Sequence, residues 1–289
     1  MSNITKGIIA LIISSLGFSL MSFFVKYSGD LPTIQKAFFR NFVSMVIALI
    51  FVLYYKERLF GKKENQGWLL LRSFLGLIGI VLNFYTLDKL VLSDADILNK
   101  LSPFFTIILA AIFLKEYIRR FQMISIIIAL IGAVFIIKPS FESTTSVALV
   151  GVVGAIAAAG AYTVLRVLGT REKFYTVVFY FSFFSTVALL PFFLFQYESM
   201  TLKQLVALIL SGVFAAVGQF GLTIAYSYAP AKEISIFFYT TIVFTALLSI
   251  VFFKEYPDIY SIFGYIIIFA ASFYMYMKNL PPKTTIKKF

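Results

Sequence analysis

Ten apolar segments, separated by short polar connections, occupy almost all of this 289-residue chain. Each is about as long as the roughly 20 mostly apolar residues that an α-helix needs to cross a bilayer. Their apolar character is continuous rather than alternating, which excludes the strands of a β-barrel. Because lipid offers backbone groups no hydrogen-bond partner, the segments must be helices. The predicted spans, numbered one to ten, are Gly7–Val25, Phe38–Tyr55, Trp68–Leu87, Ile97–Leu114, Phe121–Ile137, Val147–Leu168, Tyr175–Phe195, Leu205–Tyr228, Ile234–Phe253 and Ile259–Met277.

The chain also contains an internal repeat with a constant offset of 139 residues. The sequence Phe-Leu-Lys-Glu-Tyr at 113–117 returns as Phe-Phe-Lys-Glu-Tyr at 252–256, and Asp94 returns as Glu233. Each copy holds five spans, and an odd number of crossings reverses the second copy in the membrane. We therefore predict an all-α integral membrane protein of ten transmembrane helices in two inverted five-helix repeats, residues 7–138 and 147–277. This architecture is typical of transporters whose substrate site lies between the halves near the midplane.

The positive charges predict the orientation. The chain has 25 Lys and Arg against 13 Asp and Glu, a net charge of +12. With a cytoplasmic N-terminus, sixteen of the loop and tail cations lie on the inner side and five on the outer side. The positive-inside rule then places both termini in the cytoplasm, together with a basic tail at 278–289. Because these charges are scattered over short loops, nucleic-acid binding is not expected, and the predicted location is the plasma membrane.

Span one is not expected to be a signal peptide. It is too long for a typical apolar signal core, has no small-residue cleavage site and leads directly into further spans. We expect it to be a helix of the mature protein.

Several short motifs connect the chain to a known family. They are Phe38-Phe-Arg-Asn41 in span two, Leu101-Ser-Pro-Phe-Phe105 in span four, the turns at Lys115-Glu116 and Lys254-Glu255, Gly132-Ala133 and Gly264. With these motifs the chain resembles the drug/metabolite transporter superfamily, in its ten-helix EamA type. The Phe-Phe-Arg segment and the Glu-Tyr-Pro-Asp turn at 255–258 are similar to the branch that includes S-adenosylmethionine uptake carriers. The resemblance implies a central cavity lined by spans one to four and six to nine, with spans five and ten outside it.

Arg40 is the most informative polar residue within a span. A guanidinium group in a membrane needs a carboxylate, phosphate or carbonyl partner. Arg40 can anchor an anionic group of the substrate, or it can form a structural ion pair or extend to the lipid headgroups. The corresponding stretch of the second repeat, 179–182, has no arginine. A purely structural requirement would be expected in both repeats, so this asymmetry favours a substrate role.

Span four begins with an unusual group of polar residues. Asp96, Asn99, Lys100 and Pro103 recur at helical spacing, so we expect them to share one face and Asp96 to pair with Lys100. Pro103 has no N–H to donate to the carbonyl near position 99. We predict that Asn99 and Lys100 face the cavity, whereas Asp94 is predicted mainly to stabilise the helix N-terminus.

Other polar side chains within the spans have two possible uses. Each of the following can line the cavity or bond a neighbouring helix: Asn83, Tyr162, Gln219 and Tyr239, the last aligned with Lys100. Glu233, at the start of span nine, can stabilise a helix N-terminus. Asp94, Asp96 and Glu233 are the carboxylates near cavity depth, so proton coupling would use one of them. Arg72, close to a basic loop, is expected to extend to the inner headgroups.

Several motifs are absent. There is no histidine, no cysteine, no phosphate-binding Gly-Lys-Ser/Thr loop and no hydrolase motif, so no catalytic residue, metal site or cofactor is predicted. The chain is predicted not to be an enzyme.

The predicted function is secondary transport of small organic metabolites by alternating access. The substrates are expected to be amino-acid-like, zwitterionic or carboxylate-bearing, and the protein to be a monomer or weak homodimer in membrane lipid. Three alternatives stay open: a multidrug or aromatic-compound exporter, a flippase subunit for lipid-linked cargo and, as the most distant, an integral-membrane enzyme.

Overall fold

The computed structural model describes residues 3–115, 117–137, 143–168, 171–228 and 235–279, and all regular structure within these ranges is helical. Within these ranges eleven α-helices follow one another: α1 Asn3–Tyr27, α2 Thr33–Tyr54, α3 Gln66–Lys89, α4 Leu92–Asn99, α5 Ser102–Phe113, α6 Arg120–Ile137, α7 Ser143–Leu168, α8 Phe174–Phe195, α9 Leu202–Tyr228, α10 Thr240–Leu248 and α11 Ile259–Asn279. Short 3₁₀ segments lie at Lys63–Asn65 and Ser235–Tyr239, and a π-helical turn at Ser249–Phe253.

The ten predicted spans are all present as helical segments. In the described part of the chain, nine are long and apolar enough to cross a membrane, with α4 and α5 together forming one of them. The ninth span is a shorter apolar segment, Phe237–Phe253. The second span begins at Thr33 rather than Phe38, and Arg40 lies about two turns inside its helix. Glu233 lies outside the described residues.

The fourth span begins at Leu92 rather than Ile97, and it is interrupted at Lys100 and Leu101. Pro103, in the first turn of α5, has no N–H with which to continue the hydrogen-bond ladder of α4. Lys100 ends α4 with φ −70° and ψ 0°. In the second repeat, Tyr239 joins a 3₁₀ segment to α10 with φ −71° and ψ −9°.

These two breaks lie at related positions and touch each other. Lys100 and Tyr239 are 139 residues apart, and the Tyr239 hydroxyl donates a hydrogen bond of 3.2 Å to the Lys100 carbonyl oxygen. The hydroxyl thus satisfies a carbonyl at the helix break. The interrupted spans of the two repeats therefore contact each other at their breaks.

Helix pairing shows the same symmetry. The closest helix pairs are α1 with α9, α3 with α7, α2 with α8 and α6 with α11, and each pair joins one repeat to the other. Exchanging the repeats converts the α1–α9 pair into the α7–α3 pair and maps the other two pairs onto themselves. The bundle is therefore built from two related five-span halves, as the sequence predicted.

The fifth and tenth spans, α6 and α11, pack against each other through glycine. A Cβ on Gly264 would come 2.7 Å from the Gly132 carbonyl oxygen, and one on Gly132 would come 2.8 Å from Ile268 Cγ1. Because neither glycine has a Cβ, the two helix backbones can approach each other closely, as helices with small residues do in membrane bundles. This pair is held at one side of the molecule, away from the central cavity.

Candidate functional site

A cavity of about 80 Å³ lies among the eight other spans. Its described lining comes from α1, α2, α3, α4, α7, α8, α9 and the turn before α10, and includes no residue of α6 or α11. This arrangement is the one that the family resemblance implied. Seven of the eight predicted substrate-binding residues line the cavity: Arg40, Asn83, Asp96, Asn99, Lys100, Tyr162 and Gln219. The eighth, Tyr239, is buried behind Lys100, whose backbone carbonyl it contacts.

Arg40 enters the cavity from the second turn of α2. Its residue exposure is only 2%. The Nη1 group donates a 2.6 Å hydrogen bond to Asn41 Oδ1, and Asn41 Nδ2 donates in turn to the Ala37 carbonyl oxygen at 2.8 Å. Asn41 therefore orients the guanidinium group without neutralising it. The Nε atom of Arg40 is buried and has no hydrogen-bond partner.

Arg72 also lies in the cavity, which contradicts the prediction that it extends to the headgroups. Only 4% of the residue is exposed, and its guanidinium carbon lies 3.8 Å from the centroid of the Phe181 ring. The cause is local: Gly76, one turn further along α3, leaves the space into which the Arg72 side chain turns. A Cβ on Gly76 would come 2.9 Å from Arg72 Nη1 and 2.9 Å from Phe181 Cε2.

Arg40 and Arg72, hereafter the arginine pair, lie near the same aromatic ring. The Arg40 guanidinium carbon lies 5.7 Å from the same Phe181 centroid. The Nε and Nη1 atoms of Arg72 are buried without a hydrogen-bond partner, as is Nε of Arg40. Among the described residues, the ion pairs within 4.0 Å involve neither arginine. Burying a guanidinium group with unused donors destabilises a protein unless an anionic group pairs with it.

A carboxylate and an ammonium group of the cavity, those of Asp96 and Lys100, lie at the break of span four. Lys100 Nζ is 3.9 Å from Asp96 Oδ1, which confirms the predicted i, i+4 pair. The Thr245 hydroxyl donates a long hydrogen bond of 3.4 Å to Asp96 Oδ2. Lys100 Nζ also lies 4.0 Å from the centroid of the Phe238 ring. The Asp96 carboxylate is therefore held loosely, at distances longer than those of strong charged hydrogen bonds.

Asp94 points away from this cavity. Its carboxylate accepts a 2.6 Å hydrogen bond from the Tyr265 hydroxyl, and Ser93 Oγ lies 2.9 Å from the same hydroxyl. These bonds connect α4 to α11. Of the three carboxylates predicted for proton coupling, Asp96 is the one that lines the described cavity, and Glu233 lies outside the described residues.

At one end of the bundle lies a network that we call the Glu255 clamp: Lys26, Leu90, Leu92, Ser249 and Glu255. Lys26 Nζ lies 2.7 Å from the Glu255 carboxylate and donates a 2.8 Å bond to the Leu90 carbonyl oxygen. Glu255 Oε2 also accepts from Ser249 Oγ at 3.2 Å and from the Leu92 N–H at 3.3 Å. The clamp joins the end of α1 and the α3–α4 connection of the first half to the Lys-Glu turn of the second half.

Taken together, the residues define a membrane transport protein: two inverted halves enclose a polar site between interrupted helices, which are the usual features of secondary transporters. The EamA-like transporter family matches residues 5–138 and 145–277, and the chain belongs to this family. It is a multi-pass membrane protein of a family of transporters, not enzymes.

Individual relatives match almost the full chain. The pseudopaline exporter CntI of Pseudomonas aeruginosa is 33% identical over 269 residues, which cover 92% of this chain and 94% of that protein. The S-adenosylmethionine uptake transporter of Rickettsia bellii is 28% identical, covering 91% of this chain and 90% of that protein. A solved crystal structure with 13% identity has a TM-score of 0.68 over 93% of this chain and 96% of its own, which shows the shared fold.

The sequence prediction missed Arg72, Phe181 and Phe238 as cavity residues. The signal for Arg72 was the presence of Gly76 and Gly79 on the same face of α3, four and seven residues further on. For Phe181 and Phe238 there was no comparable signal, because the chain contains 35 phenylalanines and most spans hold several.

Proposed function

We propose that this protein carries a small carboxylate-bearing, amino-acid-like metabolite across the membrane by alternating access. The observation that supports this proposal best is the arginine pair. Two buried guanidinium groups line the cavity with unused N–H donors, and no carboxylate of the described residues pairs with them. Arginine presents its donors as a planar fork that matches a carboxylate. A substrate carboxylate therefore supplies the partner that the arginine pair lacks.

The wall formed by Asp96 and Lys100 suits the other end of an amino-acid-like substrate. The contacts of Asp96 with Lys100 and Thr245 are 3.9 and 3.4 Å, so its carboxylate can accept a shorter bond from a substrate ammonium group. Asn83 and Gln219 line the same cavity and offer neutral donors and acceptors. Asp96 is also the proposed group for proton coupling, since it lines the cavity.

Alternating access is supported by the repeat and by the Glu255 clamp. Lys26 and Glu255 belong to different halves, so rocking one half against the other would separate them. The cavity, of about 80 Å³, is smaller than a typical ligand pocket of ~300–1,000 Å³. This is expected for a state of the transport cycle in which the two halves lie close together. Two relatives are named for moving small metabolites, one as an exporter and one as an uptake transporter, so the direction of transport varies among similar proteins.

A multidrug exporter of cationic aromatic compounds is the alternative function. Its aromatic rings would need free faces for a flat cation. In this cavity the Phe181 ring already contacts the Arg72 guanidinium group at 3.8 Å, and the Phe238 ring contacts the Lys100 ammonium group at 4.0 Å. Both rings are thus occupied by cations of the protein itself, which favours an acidic substrate over a cationic one.

Reconstitution into liposomes tests the proposal. Labelled amino acids, organic acids and adenosyl derivatives would be compared with cationic dyes, and we expect uptake of an acid-bearing compound. Arg40→Lys keeps the charge but loses the planar fork, so it should weaken binding of that compound at least about tenfold, roughly 1.4 kcal/mol. Arg58→Lys, at an exposed arginine outside the cavity, is the matched control. Transport of dyes alone, or unchanged affinity in Arg40→Lys, would argue against the proposal.

A further inference from the structure

The charges around the cavity do not balance. Among the described side chains that line it, Arg40, Arg72 and Lys100 are cationic and Asp96 is anionic. Asp96 lies next to Lys100, which leaves the arginine pair as two positive charges without a counter-ion. In the low-dielectric interior of a membrane protein, an excess of two like charges is strongly unfavourable. The bound substrate is the component that can complete this site.

A simple zwitterion does not supply the missing charge. Its carboxylate can neutralise one guanidinium group, but its ammonium group returns a positive charge to the same cavity. We infer that the transported compound carries a net charge of −2 when bound, with its acidic groups on Arg40 and Arg72. This inference rests on the proposed function and narrows its substrate class to dianions.

The geometry of the arginine pair fits one small dianion. Both guanidinium carbons lie over the same Phe181 ring, at 3.8 and 5.7 Å from its centroid, so one short compound can reach both. The two arginines also differ in their own partners: Nη1 of Arg40 is bonded to Asn41, whereas Nε and Nη1 of Arg72 have no partner. Arg72 thus has more unused donors for the second acidic group. Two carboxylates or one phosphate ester present the same charge.

Matched acids test the charge requirement. The purified protein in lipid nanodiscs would be titrated by calorimetry with glutarate and with its monoamide, which has the same skeleton and one carboxylate fewer. We expect glutarate to bind at least about tenfold more tightly than the monoamide, a difference of roughly 1.4 kcal/mol. Glycerol phosphate and glycerol form the second pair and distinguish a phosphate monoester from a dicarboxylate.

Variants assign the preference to Arg72. In Arg72→Gln, the ratio between glutarate and monoamide affinities should fall to about twofold or less, while the monoamide still binds. Arg72→Lys keeps the charge and should retain most of the preference, so it keeps the test informative if Arg72→Gln folds poorly. Arg58→Gln removes an exposed cation outside the cavity and should leave the ratio unchanged.

The possible failures are distinct. Equal affinity for glutarate and its monoamide in the unaltered protein would overturn the dianion inference and leave a carboxylate transporter standing. Binding of glycerol phosphate but of neither carboxylic acid would keep the dianion and overturn the carboxylate. If none of these anions binds at millimolar concentration, the dianion inference fails, whereas the proposed function is decided separately by the panel of compounds in liposomes.

Discussion

At the scale of single residues, the site depends on the absence of a side chain at glycine as much as on charged groups. Gly76 has no Cβ, and the space is filled by the Arg72 guanidinium group and the Phe181 ring. An arginine close to a basic loop would otherwise be free to extend towards the headgroups. Here the small residue one turn away and the aromatic ring of α8 hold it at the cavity instead.

Gly76→Ala is expected to reduce transport strongly while the protein still folds. The added methyl group would lie 2.9 Å from both Arg72 Nη1 and Phe181 Cε2, and overpacking of this kind costs about 1–3 kcal/mol. Gly67→Ala in the same helix meets no atom within 4 Å and is the control. Uptake into proteoliposomes is the measurement. Equal activity of both variants would show that the Arg72–Phe181 stack is not needed.

Arg72→Gln is expected to stabilise the substrate-free protein. Two of the Arg72 nitrogen atoms are buried without a partner, and each such group costs about 1–3 kcal/mol. The stack on Phe181 returns roughly 0.5–2 kcal/mol, which does not offset the cost of a second unpaired cation beside Arg40. Thermal unfolding in detergent without substrate would measure the effect, with Arg58→Gln for comparison. A clear loss of stability in Arg72→Gln would mean that Arg72 is a structural residue.

At the scale of helices, the interruptions of spans four and nine position the site. The breaks at Lys100 and Tyr239 bring backbone and side chains of both repeats together, and the Tyr239–Lys100 bond connects them directly. Sequence indicated the first break through Pro103, although the span was predicted as one helix. It did not indicate the second, because the 3₁₀ and π-helical segments of span nine contain neither proline nor glycine.

Apolar pattern and repeat were sufficient to predict the spans, the inverted halves and most of the polar lining. Arg40, Asp96, Asn99 and Lys100 were predictable because charged and amide groups are rare within spans. The aromatic rings were not, since each of them resembles its lipid-facing neighbours in sequence. Asp94 and Asp96 are only two residues apart, and only the structure shows that the first faces α11 and the second the cavity.

The Glu255 clamp should control which end of the cavity opens. Glu255→Gln keeps the shape of the side chain but removes its charge from Lys26, weakening the clamp by about 1–2 kcal/mol. Such a change alters a two-state population roughly five- to thirtyfold. Because the chain has no cysteine, Ser22→Cys in the cavity wall can report on opening through its labelling by an impermeant maleimide.

Labelling of Ser22→Cys should become faster when Glu255→Gln is added, and reagent supplied from the Glu255 end should be the effective one. Glu64→Gln, at an exposed residue in the connection between α2 and α3, is the control for a general loss of charge. If Glu255→Gln and Glu64→Gln label at the same rate, the clamp does not hold this end closed.

At the scale of the whole molecule, the two Lys-Glu turns share a backbone conformation that reflects the internal repeat. Lys115 and Lys254, 139 residues apart, both have left-handed backbone conformations, with φ of 56° and 54°. This conformation is uncommon for residues other than glycine. Its occurrence at both positions shows that the backbone turns in the same way after each of these spans. In the second half the turn supplies Glu255 to the clamp.

Because five spans separate the two turns, they should lie on opposite sides of the membrane. The distribution of Lys and Arg further predicts that Lys115 is cytoplasmic and Lys254 is outside. Both side chains are exposed, so Lys115→Cys and Lys254→Cys can be labelled separately in intact cells with an impermeant maleimide. We expect labelling of Lys254→Cys alone, and of Lys115→Cys only after the cells are permeabilised. The reverse pattern would keep the inverted repeat but place both termini outside, whereas labelling of both positions from one side would contradict the inverted repeat itself.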